Sequence, residues 1–141
     1  MQFAGMNYLA IAAAAVASFL FGALWYGALS KQWLAALGKS ADEIKGAPKK
    51  PPVIPMAISI ICEFVMAWVF AGVLGHLGPG QVTVRNGLVT ALFLWSGFIV
   101  TTMATGHAYQ MQKRSLTVID GGHWLGVMLI QGLIIGAFGV R

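Results

Sequence analysis

Residues 53–77 read VIPMAISIICEFVMAWVFAGVLGHL, an apolar run that carries a single carboxylate, Glu63. About 20 consecutive apolar residues are enough for an α-helix to span the hydrocarbon core of a bilayer. At ~1.5 Å of rise per residue, Glu63 lies ~15 Å from the start of this run, close to the bilayer midplane. An ionisable side chain at that depth costs ~2.5–3.5 kcal/mol on insertion scales, so Glu63 is a candidate functional residue.

The rest of the chain has the composition of an integral membrane protein. Of its 141 residues, 58% are hydrophobic and only 9% are charged, whereas a soluble domain carries ~25% charged residues. The apolar runs are continuous rather than alternating, which favours helices over a β-barrel. The net charge of +5 does not indicate a nucleic-acid partner, because the basic residues are confined to short loops.

The hydropathy of the chain predicts one all-α domain over residues 1–141, an integral membrane bundle of four transmembrane helices. The predicted spans cover residues 7–29, 53–77, 85–109 and 117–140. A basic loop at 30–52 joins the first two spans, and it is either a solvated loop or includes a short helix in the membrane interface. The tight loop after the second span predicts that the second and third spans form an antiparallel hairpin.

The charges in the loops predict the orientation of the protein. Four spans place the first and third loops on the same side, and these loops hold seven of the nine lysines and arginines. Because cytoplasmic loops carry an excess of basic residues, both loops are predicted to be cytoplasmic and both termini external. The predicted location is a bacterial inner membrane, with the lipid bilayer as the partner.

Four further polar side chains join Glu63 as a candidate polar membrane site, namely His107, Asp120, His123 and Gln131. Asp120 and His123 are three residues apart and share a helix face. With Glu63 they define a line from the cytoplasmic end towards the bilayer midplane. Chains of carboxylate and imidazole groups can carry protons across membranes, and imidazole titrates near neutral pH. In the alternative reading, a protonated Glu63 bonds Gln131 or a backbone carbonyl and only holds helices together.

Aromatic residues are predicted to gather at the cytoplasmic end of the bundle, namely Trp25, Tyr26, Tyr109 and Trp124. They form either the wall of a pocket or an ordinary aromatic belt at the membrane interface. His107 and His123 have similar predicted depths, but no ligand motif supports a metal or haem site there. The sequence therefore predicts no metal and no cofactor, and an enzyme is less favoured than a transport or binding protein.

Glycines in the last span have the spacing of close helix packing. Gly122 and Gly126, and again Gly132 and Gly136, are four residues apart, a pattern that lets another backbone come near. A protomer of four helices is too small to enclose much of a pathway. A homo-oligomer is therefore predicted, most often a dimer, with the first and last spans supplying the contacts.

Three stretches carry a resemblance to a known family: NYL at 7–9, GALWYG at 22–27 and IDGGHW at 119–124. They resemble the corresponding parts of a bacterial membrane family catalogued only as domain of unknown function 1761. The resemblance covers nearly the whole chain and implies a small four-helix inner-membrane protein. It also implies that the Trp-Tyr pair and the Asp-Gly-Gly-His segment belong to family patterns. It implies no particular activity, substrate or cofactor.

Two functional hypotheses follow from these patterns. The leading one is an oligomeric transporter or channel-like protein for a small solute or ion, based on the small size, the glycine faces and the buried carboxylate. The alternative is a lipid- or quinone-binding protein, or an accessory membrane assembly protein, without catalysis. In the alternative, the aromatic cluster forms the wall of a binding pocket.

Overall fold

The computed structural model describes residues 2–39, 43 and 52–140. Its helices are α1 (Tyr8–Ala28), α2 (Ser30–Ala36), α3 (Val53–His76), α4 (Val84–Tyr109) and α5 (Arg114–Phe138). All of these except the short α2 are long and apolar enough to cross a membrane. The predicted all-α fold with four spans is confirmed, and each span ends within three residues of its predicted limits.

Helix α2 occupies the start of the predicted basic loop, at the position where the sequence leaves an interfacial helix open. Residues 40–42 and 44–51 of that loop lie outside the described part of the chain. The turn between α4 and α5 lies at the same end of the bundle as α2, because the Lys113 ammonium donates a hydrogen bond to the Ala35 carbonyl at 3.0 Å. The two basic loops therefore share one end of the bundle, called the basic end below.

The opposite end is closed by the residues before α1. The Ala4 N–H donates to the Gly75 carbonyl at 2.9 Å, near the end of α3. The ring of Phe3 packs on the same glycine. Asn7 precedes α1, and its side-chain oxygen caps the first turn by accepting hydrogen bonds from the Leu9 and Ala10 N–H groups. Such a cap satisfies N–H groups that have no partner within the helix.

Helix α5 is the centre of the bundle, with α1 on one side and α4 on the other, while α3 packs mainly against α1. The short loop after α3 joins it to α4, and the two helices run in opposite directions along the bundle. They make little contact with each other. Helix α4 packs instead against α5, where glycines let the two backbones meet.

The contact between α4 and α5 brings backbone against backbone. A Cβ atom added at Gly132 would lie 2.5 Å from the carbonyl oxygen of Gly87, and one added at Gly87 would overlap the backbone of Gly132. A Cβ atom at Gly136 would overlap the backbone of Thr83. Only glycine permits this approach, so the second GxxxG pair is the surface that holds α4.

The first GxxxG pair faces α1 instead. A Cβ atom at Gly122 would lie 2.8 Å from the indole of Trp25, and one at Gly126 would overlap the ring of Phe21. All four glycines therefore make contacts within the protomer. These four glycines, predicted to pack helices closely, are covered by the protein's own helices.

Candidate functional site

A cavity of about 470 Å³ lies between α1, α3 and α5, and it is called the membrane pocket below. It extends from Pro52, at the start of α3, to Glu63, near the middle of that helix. Aromatic rings from α1 and α5, those of Tyr26 and Trp124, form part of its wall. Glu63 and His123 contribute polar groups to a lining that is otherwise mostly apolar.

Glu63 is 2% exposed, and its carboxyl oxygen Oε2 is buried without a hydrogen-bond partner in the described part of the chain. Leaving a buried polar atom unpaired costs about 1–3 kcal/mol, and more for a charged group. Ser59 precedes Glu63 by one helical turn and lines the same pocket. The carboxyl group therefore keeps open hydrogen-bonding capacity at the deep end of the pocket.

His123 is 6% exposed, and aromatic packing holds its ring. The ring centroid lies 4.9 Å from that of Tyr26, 4.7 Å from that of Trp124 and 6.1 Å from that of Phe21. A Cβ atom at Gly22 would lie 2.9 Å from its Nε2 atom, so the glycine makes room for the imidazole. The Nδ1 atom is buried and, within residues 2–39, 43 and 52–140, has no hydrogen-bond partner.

Asp120 takes a hydrogen bond from α1 at the basic end of the pocket. The Tyr26 hydroxyl donates to its Oδ1 atom at 2.7 Å. Next to it, the Trp25 indole donates to the Ile119 carbonyl at 3.1 Å. These two bonds fix α1 to the start of α5. They also place Tyr26 in contact with both Asp120 and His123, the two polar residues of that helix face.

The segment that carries Asp120 is also held from α4. The Trp95 indole donates to the Gly121 carbonyl at 2.8 Å. Trp95 begins a π-helical turn, Trp95–Val100, within α4. Such turns are rare and are frequently found at functional sites. Indole donors from two different helices thus fix the backbone just before His123.

Gln131 lies one layer deeper and is fully buried. Its Nε2 atom donates to the Ser18 hydroxyl at 3.2 Å and to the backbone carbonyl of Glu63 at 3.3 Å. Its Oε1 atom is buried and unpaired within the described residues. Gln131 therefore contacts the backbone of Glu63, whereas the alternative reading from sequence has Gln131 bonding the Glu63 carboxyl group.

Two of the candidate residues lie elsewhere. His107 Nδ1 hydrogen-bonds Thr117 Oγ1 at 2.8 Å and lines a separate, smaller cavity beside Arg114. Tyr109 is 86% exposed at the end of α4 and does not join the aromatic cluster of Trp25, Tyr26 and Trp124. The described residues contain no group of three or more His, Cys, Asp or Glu side chains that could hold a metal ion.

Some pocket residues do not stand out as site residues in the sequence. Ser59 and Gly22 line the pocket, and Ser18 bonds Gln131. A signal for them exists in the spacing, because Ser59 lies four residues before Glu63, and Ser18 four before Gly22. Residues four apart share a helix face. What the spacing cannot show is which neighbour each face meets.

A family model described as "Protein of unknown function (DUF1761)" matches residues 9–136 of the chain. The chain belongs to this family. The match confirms the family resemblance seen in the sequence, and it covers α2–α4 completely and nearly all of α1 and α5. Comparisons with curated proteins and with solved structures found no match. The DUF1761 assignment supports a membrane protein of unknown function. A function is therefore proposed below from the geometry of the pocket.

Replacing Gln131 with leucine is expected to change the stability of this DUF1761 protein by no more than about 1 kcal/mol, because the change removes an unpaired amide oxygen along with two long hydrogen bonds. The Ser18 hydroxyl still donates to the carbonyls of Ala14 and Ala15. The measurement is unfolding by SDS titration in mixed micelles. A loss of more than about 3 kcal/mol would instead show that the amide holds α3 to α5.

Proposed function

We propose that this protein binds a small, largely apolar molecule with a hydrogen-bonding group in the membrane pocket. The observation that carries the proposal is a pair of buried polar atoms, Glu63 Oε2 and His123 Nδ1, that are unpartnered in the described part of the chain. Both residues line the same cavity of about 470 Å³. Pockets for small ligands usually measure ~300–1,000 Å³ and combine apolar walls with a few polar groups.

The surroundings of the pocket favour access from the lipid. Among the first residues of α3, Val53 is 69% exposed and Ile54 is 74% exposed. In a membrane, such surfaces face acyl chains. A ligand that dissolves in the bilayer can therefore reach the pocket sideways, between the start of α3 and α1, without crossing an aqueous vestibule.

In the other half of the bundle, side chains on the inner helix faces are tightly packed. Ala67, Phe70 and Leu74, on the inner face of α3 beyond Glu63, are at most 1% exposed. Ile135 of α5 is 2% exposed at the same end. The cavity thus ends near Glu63 and does not continue as a channel through the described residues. This supports the binding alternative over an open, channel-like pathway.

The test of this proposal fills the pocket without touching Glu63 or His123. We expect the variant Ser59→Trp to lose bound small molecules that native mass spectrometry detects on the wild-type protein released from nanodiscs of native lipid. Ser96→Trp is the matched control, since Ser96 is exposed on α4 and does not line the pocket. Equal retention by wild type and Ser59→Trp, or an empty wild-type protein that takes up no apolar probe, would contradict the proposal.

Transport of the ligand is our second candidate function. It is favoured by a pocket that begins near the basic end and ends at a buried carboxyl group, with packed helices beyond it. A one-sided pocket of this kind corresponds to one state of alternating access. The test is uptake of labelled ligand into proteoliposomes that are preloaded with unlabelled ligand. We expect the wild type to take up the ligand and Glu63→Gln not to do so. If the wild type takes up none, only the binding function remains.

We further propose that the protein works as a homodimer in a bacterial inner membrane, with the basic end in the cytoplasm. The seven basic residues of the two loops support the orientation. The small size of the protomer supports the dimer. We expect protease added outside intact spheroplasts to cleave a C-terminal tag. We also expect the labelled protein in liposomes to photobleach in two steps. A protected tag would reverse the orientation, and single-step bleaching would remove the dimer.

A further inference from the structure

The ionisable groups in and beside the membrane pocket are mainly acidic. Glu63 lines it, and Asp120 accepts the hydrogen bond of Tyr26, another lining residue. No lysine or arginine occurs among the described residues that line it. His123 is the one basic side chain in that lining as far as the structure describes it, and its ring is packed among aromatic groups. Within the described lining, the pocket thus offers acidic groups without a lysine or arginine as a cationic partner.

The aromatic walls of the pocket also favour a positively charged ligand. Tyr26 and Trp124 line the pocket from different helices, and Phe19 adds a third ring from α1. The face of an aromatic ring carries partial negative charge and attracts cations, most strongly in sites away from water. Aromatic walls with a nearby carboxylate are the arrangement that recognises organic ammonium groups. An anion would meet repulsion from both elements.

A neutral ligand would leave Glu63 either protonated or as a buried carboxylate without a counter-charge from the described lining. Burying an isolated carboxylate is far more costly than burying one paired with a cation. A ligand that brings its own positive charge therefore gains an interaction that a neutral ligand of the same shape lacks. The apolar remainder of the pocket requires that this cation be lipophilic.

We infer that the ligand is a lipophilic organic cation, an amine or quaternary ammonium compound. Its charged end pairs with Glu63, and its apolar part lies against Tyr26 and Trp124. This inference rests on the proposed function, since it needs the membrane pocket to bind a ligand, and it narrows that function to one chemical class. The charged end exchanges its hydration shell for a carboxylate in a pocket lined by aromatic rings.

The test uses two probes of equal shape, benzyltrimethylammonium and neopentylbenzene, in which carbon replaces the charged nitrogen. Binding to the full-length protein in nanodiscs is measured by native mass spectrometry for wild type and Glu63→Gln. Wild type is expected to bind the cation about tenfold or more tightly than the neutral probe. In Glu63→Gln the difference is expected to fall to about threefold or less, the preference that the ring faces alone supply. Glu43→Gln controls for the loss of one carboxylate that does not line the described pocket.

The outcomes separate the inference from the proposed function. Equal binding of both probes by wild type, blocked by Ser59→Trp, would overturn the preference for cations and leave the pocket as a ligand site. Binding of neither probe would overturn both. Undiminished selectivity for the cation in Glu63→Gln would remove Glu63 as its partner. If Glu63→Gln does not fold, the comparison of the two probes on wild type still decides the charge preference.

Discussion

Replacing Gly132 with alanine is expected to lower the free energy of unfolding by about 1–3 kcal/mol, the usual cost of overpacking a well-packed interior. The added Cβ atom would lie 2.5 Å from the carbonyl oxygen of Gly87. That atom belongs to the backbone of a transmembrane helix, so it cannot rotate away as the end of a side chain could. The whole of α4 must move away from α5 to admit a single methyl group.

Gly121→Ala is the matched control for this prediction. Gly121 is also a buried glycine of α5, but a Cβ atom there would meet nothing within 4 Å. Alanine also favours helix over glycine by ~1 kcal/mol, so Gly121→Ala should be neutral or stabilising. Thermal unfolding in one detergent compares the two variants. Equal stability of Gly132→Ala and Gly121→Ala would mean that α4 and α5 do not cross at Gly87 and Gly132.

Gly22→Ala is expected to displace the imidazole of His123 and to weaken ligand binding about fivefold to tenfold, which corresponds to the loss of one hydrogen bond of about 1 kcal/mol. The new methyl group would lie 2.9 Å from Nε2 of His123. The ring cannot simply turn aside, because Phe21, Tyr26 and Trp124 surround it. It must leave the position in which it lines the membrane pocket.

The measurement combines nitrogen-15 NMR of labelled histidine side chains with the binding assay for the pocket. The His123 signals are expected to shift, while those of His107, which lines a different cavity, stay in place. Gly27→Ala on the same helix is the control, since a Cβ atom at Gly27 meets nothing within 4 Å. Unchanged His123 signals in Gly22→Ala would show that the glycine is not what makes room for the ring.

The positions of the spans could be predicted because hydrocarbon thickness fixes how many apolar residues a helix needs. Depth along each helix followed from the same counting. Glu63 and Gln131 lie deep in the bundle, and Asp120 lies nearer the basic end, as predicted from their places in the sequence. The depth of a residue depends only on its place in the span and on the rise per residue, so it can be counted from the sequence.

Rotation about each helix and the choice of neighbour were not predictable in the same way. Tyr26 and Tyr109 lie at the same end of the bundle, yet Tyr26 bonds Asp120 while Tyr109 is exposed. His107 turns to Thr117 and away from the membrane pocket. Such differences depend on which helices pack together, and this depends on the combined shapes of two surfaces distant in sequence.

The glycine pattern likewise does not identify which helix is the neighbour. The spacing of Gly122, Gly126, Gly132 and Gly136 predicts close approach, but it does not name the partner. In the structure the first pair meets the aromatic rings of α1 and the second pair meets the backbone of α4. A GxxxG face is equally suited to another helix of the same chain and to a second copy, because both present a backbone. The sequence alone therefore could not assign these glycines to the protomer.

The most direct measurement is the position of a bromine atom in crystals grown from lipid. Crystals are soaked separately with 4-bromobenzyltrimethylammonium and with its neutral bromoneopentylbenzene counterpart, and bromine is located by anomalous scattering. We expect the bromine of the cation inside the membrane pocket, between Tyr26, Glu63 and Trp124, with weaker density for the neutral compound at the same place. Bromine from both compounds found only on the outer, lipid-facing surface of the helices would contradict a ligand site between α1, α3 and α5.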